Sequence, residues 1–376
     1  MKCKKAKILI IGSLPPPFIG PYIATEKLIN TPSIQQSFDI LFLNTSDKRN
    51  PMNIGRFDIV NCSLAITHIT KCLLFLLFKK PCLIYMGISQ GLWGVIRDLG
   101  FLVPSIILRR KIVIHLRGSE FDSFFRSLSS VIKLIIRLVF KRITNVIILG
   151  ESLRHVFKDL VEPDKIVVVP NGIDYEQFDQ IKRPSLKHHT SGRGILYLSS
   201  LLERKGIFRL IEALPIVLER YPEIRVTIAG EWQSLREKEK AFNLIKKNKI
   251  DGRINFAGQV SGINKIRLYN EHDVFVFPPI QPEGMPWVIL EAMSAKLPVI
   301  STNQGTIPEV IEHAKTGYLV EPTPENIADR ICYLVDNPAI ARKMGEAGRR
   351  RVESHFSEKN YFDKLENVFN SAAHNM

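Results

Sequence analysis

The sequence lacks the features that define several large classes of protein. Its five cysteines form no Cys-x-x-Cys pair, which argues against a disulfide scaffold and indicates a reducing compartment. It contains no Asp-x-Asp motif and no cluster of His and Cys with metal-ligand spacing. We therefore predict that the protein uses no metal and no other cofactor.

Long apolar runs are also missing. The apolar runs break at Lys79 and Arg109 before they reach the roughly 18 to 20 residues that span a bilayer, so no integral membrane segment is predicted. The basic N-terminus is followed by only four apolar residues, 8–11, before Gly12. This pattern is typical of a first buried strand and not of an export signal.

What is present is the composition of an ordinary folded protein. The chain has 376 residues, of which 45% are hydrophobic and 24% are charged. At this length one hydrophobic core has usually stopped growing, so two domains are expected.

Short runs rich in Val and Ile alternate with segments of helical period in both halves of the chain. This alternation predicts an α/β protein whose parallel sheets are covered by helices on both faces. The strands of the first half are predicted at residues 6–12, 38–44, 57–63, 81–87, 111–117, 144–150 and 165–171. Those of the second half are predicted at residues 194–200, 223–230, 253–258, 273–279, 297–302 and 316–322.

A polar segment without apolar period, residues 174–194, separates the two series and is interpreted as a linker. The predicted domains are 1–175, to which a C-terminal helix at 357–376 returns, and 190–356. Two doubly wound domains on one linker are expected to face a cleft, with ligands beyond the carboxyl ends of the strands.

The stretch EGMPWVILE follows a predicted strand and carries a glutamate at each end, Glu283 and Glu291. Its surroundings, PPIQPEGMPWVILEAMSAKLPVISTNQG, resemble the signature of the family 4 glycosyltransferases. These are retaining sugar transferases with two Rossmann-like domains, an architecture called GT-B. The resemblance implies a nucleotide-sugar donor, with Glu291 on the ribose hydroxyls and Glu283 on the transferred sugar. Carboxylates suit hydroxyl pairs because charge-assisted hydrogen bonds are short and strong.

Three residues between the two glutamates belong to the same predicted donor site. They are Gly284, Met285 and Pro286, and Pro286 is expected in the first helical turn, where a missing N–H is tolerated.

Positive groups for the donor diphosphate are expected in the segment YLSSLLERKGIFRL. Arg204 and Lys205 follow a strand there, and Gly206 is expected to open a helix. The family usually has G-R-L-x-x-x-K-G, so Lys205 and Gly206 match, whereas Ser200 stands in the place of the arginine. Further on, QGTIPEVIE resembles the family element G-G-x-x-E-x-I, with Gly305 and Glu309 in the matched places. The N–H groups of that element are expected to face anionic oxygen.

Two features of the first half complete the predicted site. The loop GSLPPPFIGPYIATEK resembles the family's loop near the donor phosphates and places Gly20 there, while G-x-G-x-x-G is absent from it. In IHLRGSEF, Arg117 stands where many relatives have histidine, and His115 lies two residues earlier. Both are predicted catalytic residues together with Lys205 and Glu283. Arg117 cannot be a general base, because its guanidinium does not lose its proton.

The formal charge is +15, and residues 68–142 carry thirteen Lys and Arg against three acidic residues. Lys133, Arg137 and Lys141 lie four apart on a strongly apolar segment. This pattern favours an anionic membrane surface as partner, since each basic residue near the headgroups adds about 1 kcal/mol. The alternative is an ordinary helix with solvated charges.

Taken together, the resemblance implies a hexosyltransferase, and the sequence pattern predicts that it is metal-independent, cytoplasmic and peripheral on the inner face of the membrane. It would pass a sugar to a glycan or lipid-linked acceptor in capsule, O-antigen or lipopolysaccharide biosynthesis. Two alternatives remain open: a nucleotide-sugar epimerase or phosphorylase-like enzyme of the same architecture, and a basic nucleic-acid-binding protein. The second is disfavoured because no recognition helix or aromatic stacking surface is evident.

Overall fold

The computed structural model describes residues 5–17, 19–47, 49, 58–181 and 194–374. The chain divides into two compact units. Unit 1 comprises Met1–Pro170 with Lys359–Met376, and unit 2 comprises Asn171–Glu358.

Unit 1 is built on a six-stranded parallel sheet with the strand order β2-β1-β3-β4-β5-β6. Its strands are β1 (Ala6–Gly12), β2 (Phe38–Asn44), β3 (Leu83–Gly87), β4 (Lys111–His115), β5 (Asn145–Ile148) and β6 (Ile166–Val168). Its helices are α1 (Gly20–Asn30), α2 (Pro32–Ser37), α3 (Ile59–Leu74), α4 (Leu92–Ile107), α5 (Phe121–Ser127), α6 (Ser130–Phe140) and the final helix of the chain, α14 (Glu358–His374).

Unit 2 repeats this plan with a second six-stranded parallel sheet of order β12-β11-β10-β7-β8-β9. Its strands are β7 (Gly194–Leu198), β8 (Arg225–Ala229), β9 (Ile254–Gly258), β10 (Val274–Phe277), β11 (Val299–Thr302) and β12 (Gly317–Val320). Its helices are α7 (Ile207–Arg220), α8 (Leu235–Lys247), α9 (Gly262–Asn270), α10 (Trp287–Ser294), α11 (Ile307–Val310), α12 (Pro324–Asp336) and α13 (Pro338–His355).

Burial of the strands explains why they could be predicted from the apolar pattern of the sequence. Every residue of β7, β10 and β11 is buried, because helices cover both faces of a parallel sheet and each strand is then a continuous apolar run. In unit 1 the aromatic side chains of α14, among them Tyr361 and Phe369, join the core formed by β1, β3 and β4. The predicted fold class is confirmed. Twelve of the thirteen predicted strands are present, β1 and β2 with the predicted bounds and the others with one or both ends shifted.

The predicted strand at 57–63 is wrong. Residues from Ile59 onward form α3, and the Asp58 side chain caps its start by accepting a hydrogen bond from the N–H of Asn61 at 2.7 Å. A few residues of FDIVNCS alternate in polarity like a strand, but the apolar positions that follow continue at helical spacing, and a cap of this kind favours the helix.

Part of the predicted linker is ordered within unit 2. Glu176–Asp179 form a 3-10 turn, and the side chain of Phe178 is buried against Tyr269. Residues 182–193 of that linker, and residues 375–376 of the predicted C-terminal helix, lie outside the described residues.

Helix α3 continues through a π-helical turn, Phe75–Lys79. Among the described residues, the resulting segment Ile59–Lys79 is the one helix long and apolar enough, by these two criteria alone, to cross a bilayer. Polar residues such as His68 and Lys71 interrupt its apolar run, so the sequence pattern does not predict a spanning segment there. Only 17% of its most apolar 18-residue window is buried, so this helix presents most of its surface outward.

Candidate functional site

The predicted donor residues of unit 2 gather beyond the carboxyl ends of β7 and β10, two adjacent strands of its sheet. The chain leaves β7 toward the turn Glu203–Lys205, and it leaves β10 toward the loop that contains Glu283. Because parallel strands end at one edge of a sheet, these two loops meet.

Lys205 and Glu283 form a close ion pair at this edge. The Nζ atom of Lys205 lies 2.7 Å from both carboxylate oxygens of Glu283. The two side chains are only 18% and 10% exposed, and Lys205 also lies 5.9 Å from the centre of the Phe277 ring. A shielded pair is weakly screened by salt and keeps its geometry.

Gly206 makes this meeting possible. Its φ is +81°, and a Cβ atom there would lie 1.8 Å from the carbonyl oxygen of Pro278. The turn that carries Lys205 therefore approaches the end of β10 as closely as only glycine permits. The N–H of Ile280 donates to the Arg204 carbonyl at 3.0 Å and fixes the two loops together.

The loop 283–286 is held from its far side by Gly305 and Thr306. A Cβ atom at Gly305, where φ is +58°, would lie 2.0 Å from the Glu283 carbonyl oxygen. The N–H of Thr306 donates to that oxygen at 3.2 Å, and its hydroxyl donates to the carbonyl of Gly284. The N–H groups of Ile307 and Glu309 also donate within the protein, to the carbonyls of Gln304 and Thr306. This element supports the donor loop.

Asn171 fixes the loop from another direction. Its side-chain amide donates to the carbonyl of Met285 at 3.0 Å, and its Oδ1 is buried without a hydrogen-bond partner among the described residues. Gly284, Met285 and Pro286 are all buried. Pro286 lies at the N-cap of α10, one residue earlier than predicted.

Glu291 lies in α10 and has two partners that the sequence reading missed. Lys265 places its Nζ 2.5 Å from one carboxylate oxygen, and the hydroxyl of Tyr269 donates to the other at 2.9 Å. Burial, and next the charge of Glu291, raise the pKa of Tyr269 well above its usual range, so its hydroxyl stays a donor. Both partners lie on α9 at a spacing of four, which puts them on one face of that helix.

The remaining predicted donor residues are more peripheral or belong to unit 1. Ser200 is exposed, and its carbonyl accepts from the N–H of Leu202. Arg204 is half-buried. In unit 1, Gly20 is the first residue of α1, which follows Ile19 at its N-cap.

The predicted catalytic residues of unit 1 form a network of their own. Arg117 donates to the hydroxyls of Tyr85 and Tyr361 at 2.9 and 3.0 Å. Because an arginine can only donate, the Tyr85 hydroxyl is free to donate to Nδ1 of His115, 2.8 Å away. Nε2 of His115 is buried without a partner among the described residues.

His115 is fully buried, and the structure places it behind Tyr85 and Arg117 instead of at a surface that a substrate reaches. Desolvation, and next the charge of Arg117, lower the pKa of His115 well below its ordinary value. Its Nδ1 contacts the hydroxyl of Tyr85, which also accepts from Arg117, and Arg117 itself is half-buried.

No group of three or more His, Cys, Asp or Glu side chains that could hold a metal ion occurs among the described residues. The site in unit 2 contains two lysine–glutamate pairs, and Arg204 lies next to one of the lysines in sequence.

Comparison with known proteins shows which families and structures this chain is similar to. The family model described as "Glycosyl transferases group 1" matches residues 178–351, the range that contains both lysine–glutamate pairs. This part of the chain, which makes up most of unit 2, is similar to the group 1 glycosyltransferases. Among curated relatives, the capsular polysaccharide biosynthesis glycosyltransferase CapM of Staphylococcus aureus is 27% identical over 322 residues, which cover 81% of this chain and 81% of that protein. Other curated relatives are matched over about half of their own length, 48% and 49% for two of them.

Solved structures place the protein in the GT-B fold. A glycosyltransferase from Rickettsia africae superposes with a TM-score of 0.76 at 19% identity, covering 99% of this chain and all of that one. The Anabaena protein Alr3699/HepE, in complex with UDP and glucose, superposes with a TM-score of 0.72 at 16% identity over 97% of this chain and all of that one. At these identities the likeness establishes the fold alone.

Proposed function

We propose that this glycosyltransferase moves a hexose from a nucleotide-sugar donor onto a hydroxyl of a glycan or lipid-linked acceptor, with retention of anomeric configuration. The observation that carries the proposal is the pair of lysine–glutamate contacts at the carboxyl edge of the unit 2 sheet. The likeness to a capsular polysaccharide glycosyltransferase supports cell-surface polysaccharide assembly as its setting. The Anabaena structure with UDP and glucose supports the donor class.

Each contact has a role in this proposal. Glu291, on α10, accepts hydrogen bonds from the ribose hydroxyls, and Glu283 accepts them from the transferred sugar. Lys205 neutralises charge on the diphosphate as the bond to the sugar breaks, with Arg204 beside it. Stabilising charge that develops in the transition state is commonly the largest single contribution to catalysis.

Metal independence is part of the same proposal. Lys205 and Arg204 supply the positive charge that a metal ion supplies elsewhere. We expect turnover to be unchanged when divalent cations are removed with EDTA, whereas loss of turnover that Mg²⁺ or Mn²⁺ restores would contradict the proposal.

Nucleotide recognition gives the direct test. A ligand that binds the native state alone raises the melting temperature by mass action. We expect one nucleotide from a panel of UDP, GDP, ADP and CMP, alone or as its sugar conjugate, to stabilise the protein. Glu291→Ala should abolish that shift while the ligand-free protein still melts cooperatively. An undiminished shift in this variant would remove Glu291 from the ribose role.

We further propose that unit 1 binds the anionic inner surface of the cytoplasmic membrane. Helix α6 exposes Val131, Leu134 and Leu138 at 55% to 69%, beside Lys133 and Arg137. Sedimentation with vesicles tests this: binding to vesicles with anionic lipid, weakened by salt, is expected, and equal binding to neutral vesicles would contradict it.

A further inference from the structure

Unit 1 contains a cavity of about 360 Å³ that the donor site does not use. It lies between α3 and α4, and its inner end reaches the first residues after β1 and β2. Its volume is at the lower end of the range for small-molecule sites, about 300 to 1,000 Å³.

The outer walls of the cavity are apolar and open to the surface. Ile66 on α3 and Trp93 and Ile96 on α4 line it, yet these side chains are 67%, 44% and 44% exposed. A side chain that lines a cavity and is also exposed forms its rim. The cavity therefore opens onto the apolar outer surface of α3 and α4, which elsewhere exposes Phe78 and Ile107.

The inner end is polar. The hydroxyls of Ser13 and Thr45 lie 3.1 Å apart there, immediately after the carboxyl ends of β1 and β2, where ligands of parallel sheets bind. Asp47, also at this end, is held by the guanidinium of Arg49 at 2.7 Å. These groups can donate to or accept from the hydroxyls of a head group.

Two lining groups set the charge of the walls. Burial, then the charges of Arg97 and Lys71, lower the pKa of His68, so this wall residue is neutral at pH 7. Arg97 lines the cavity with its side chain 34% exposed and is paired with the buried Asp98. Its guanidinium can therefore contact an anionic group at the rim.

A ligand that fits all three features is an amphiphile with a hydroxyl-bearing head and an aliphatic chain. We propose that this cavity binds the first part of the hydrocarbon chain of a lipid-linked acceptor, with the head toward Ser13 and Thr45. The inference rests on the proposed transferase function and specifies its acceptor class. A free glycan would leave the apolar rim unpaired with any apolar surface, and a second protein chain would leave the polar inner end unfilled.

The fluorescence of Trp93 reports directly on the binding of a hydrocarbon chain in the cavity. We would use full-length protein with Trp232→Phe and Trp287→Phe, which leaves Trp93 as the reporting indole, and titrate it with octyl, decyl and dodecyl phosphate below micelle formation. A saturable blue shift is expected, with affinity that rises with chain length and levels off when the cavity is full. Inorganic phosphate and glucose should give no shift.

A substitution that fills the cavity tests whether the alkyl chain binds inside it. Ala65 lines it on α3, and Ala65→Phe should weaken dodecyl phosphate binding at least ten-fold. Ser63→Phe, on the opposite and exposed side of the same helix, is the matched control and should bind as the parent does. Ala65→Val, a smaller change, should give an intermediate loss and keeps the test valid should the phenylalanine variant fold poorly.

The outcomes separate this inference from the transferase proposal. Equal binding by Ala65→Phe and Ser63→Phe, binding that does not saturate, or a shift with glucose alone would overturn the chain site. Stabilisation by the nucleotide panel is measured separately and depends on unit 2. Its failure would refute the donor site while leaving the alkyl phosphate result intact.

Discussion

Unit 1 and unit 2 have the same six-stranded parallel plan but distribute charge and apolar surface in opposite ways. Unit 2 brings two glutamates, each 10% exposed or less, to the edge of its sheet and pairs each with a lysine. The corresponding polar network of unit 1 contains His115, Arg117 and two tyrosines and no carboxylate. Most of the large apolar side chains that are exposed among the described residues also belong to unit 1.

The difference is in line with the two proposals, which assign the donor to unit 2 and a lipid surface to unit 1. Paired lysines and carboxylates suit a polyol that carries phosphates, which is the chemistry of a nucleotide sugar. Open apolar helices with basic residues suit a lipid surface, which is where a lipid-linked acceptor resides. The fold alone would not have distinguished the two, because function depends on the residues at the site.

The largest effect is expected when the ion pair between Lys205 and Glu283 in unit 2 is broken. Lys205→Met leaves Glu283 buried without its cation, and removal of one partner of a buried pair costs about 3 to 5 kcal/mol. We expect the free energy of unfolding in urea to fall by that order and turnover to be lost. Lys240→Met, in the exposed pair with Glu203, is the control and should change stability by less than about 1 kcal/mol.

A double variant sharpens this result. Lys205→Met combined with Glu283→Gln removes both charges and should recover much of the stability without recovering turnover. If the double variant is no more stable than Lys205→Met, the pair does not account for the loss.

A smaller effect is expected from the positioning of Glu291. Tyr269→Phe removes the hydroxyl that donates to this carboxylate, and such a hydrogen bond contributes about 1.5 to 3 kcal/mol. The dissociation constant of the stabilising nucleotide should rise about ten-fold or more. Discrimination against its 2′,3′-dideoxy analogue should shrink, a readout that a purely structural role would leave unchanged.

Tyr318→Phe is the matched control for that measurement. Tyr318 is buried in unit 2, and its ring packs against Tyr333 instead of the α10 site. If both phenylalanine variants changed dideoxy discrimination equally, the positioning role of Tyr269 would be refuted.

The smallest effect is expected in unit 1, where burial of His115 makes the free energy of unfolding depend on pH. The pKa of His115 is lowered in the folded protein, so below its unfolded value, about 6.5, the unfolded chain binds a proton that the native chain does not. Stability is therefore unaffected above that pH. It falls by up to about 1.4 kcal/mol for each unit of further acidification, until the folded pKa is reached.

Urea unfolding at pH 7.5 and 5.5 measures this difference. His115→Gln should flatten the pH dependence, whereas His155→Gln, at an exposed histidine, should leave it as in the parent. An unchanged slope in His115→Gln would exclude burial of His115 as its cause.

The sequence by itself determined the fold class and twelve of the strands, and its resemblance to a family pointed to Lys205, Glu283 and Glu291. Buried parallel strands are continuous apolar runs and depend little on distant residues, so a local pattern suffices. The motif around Glu283 could be recognised because a short loop followed by a helix start requires glycine and proline at particular positions.

Only the tertiary structure decided what those residues contact. Lys265 and Tyr269 lie on α9, and nothing local to that helix indicates that its face meets Glu291 on α10. The helical state of residues 59–63 depended on the longer segment that follows. Arg117 has a hydrogen-bond partner, the hydroxyl of Tyr361, that lies 244 positions away. Packing joins elements that are remote in sequence, and the local pattern of a single sequence does not predict which of them make contact.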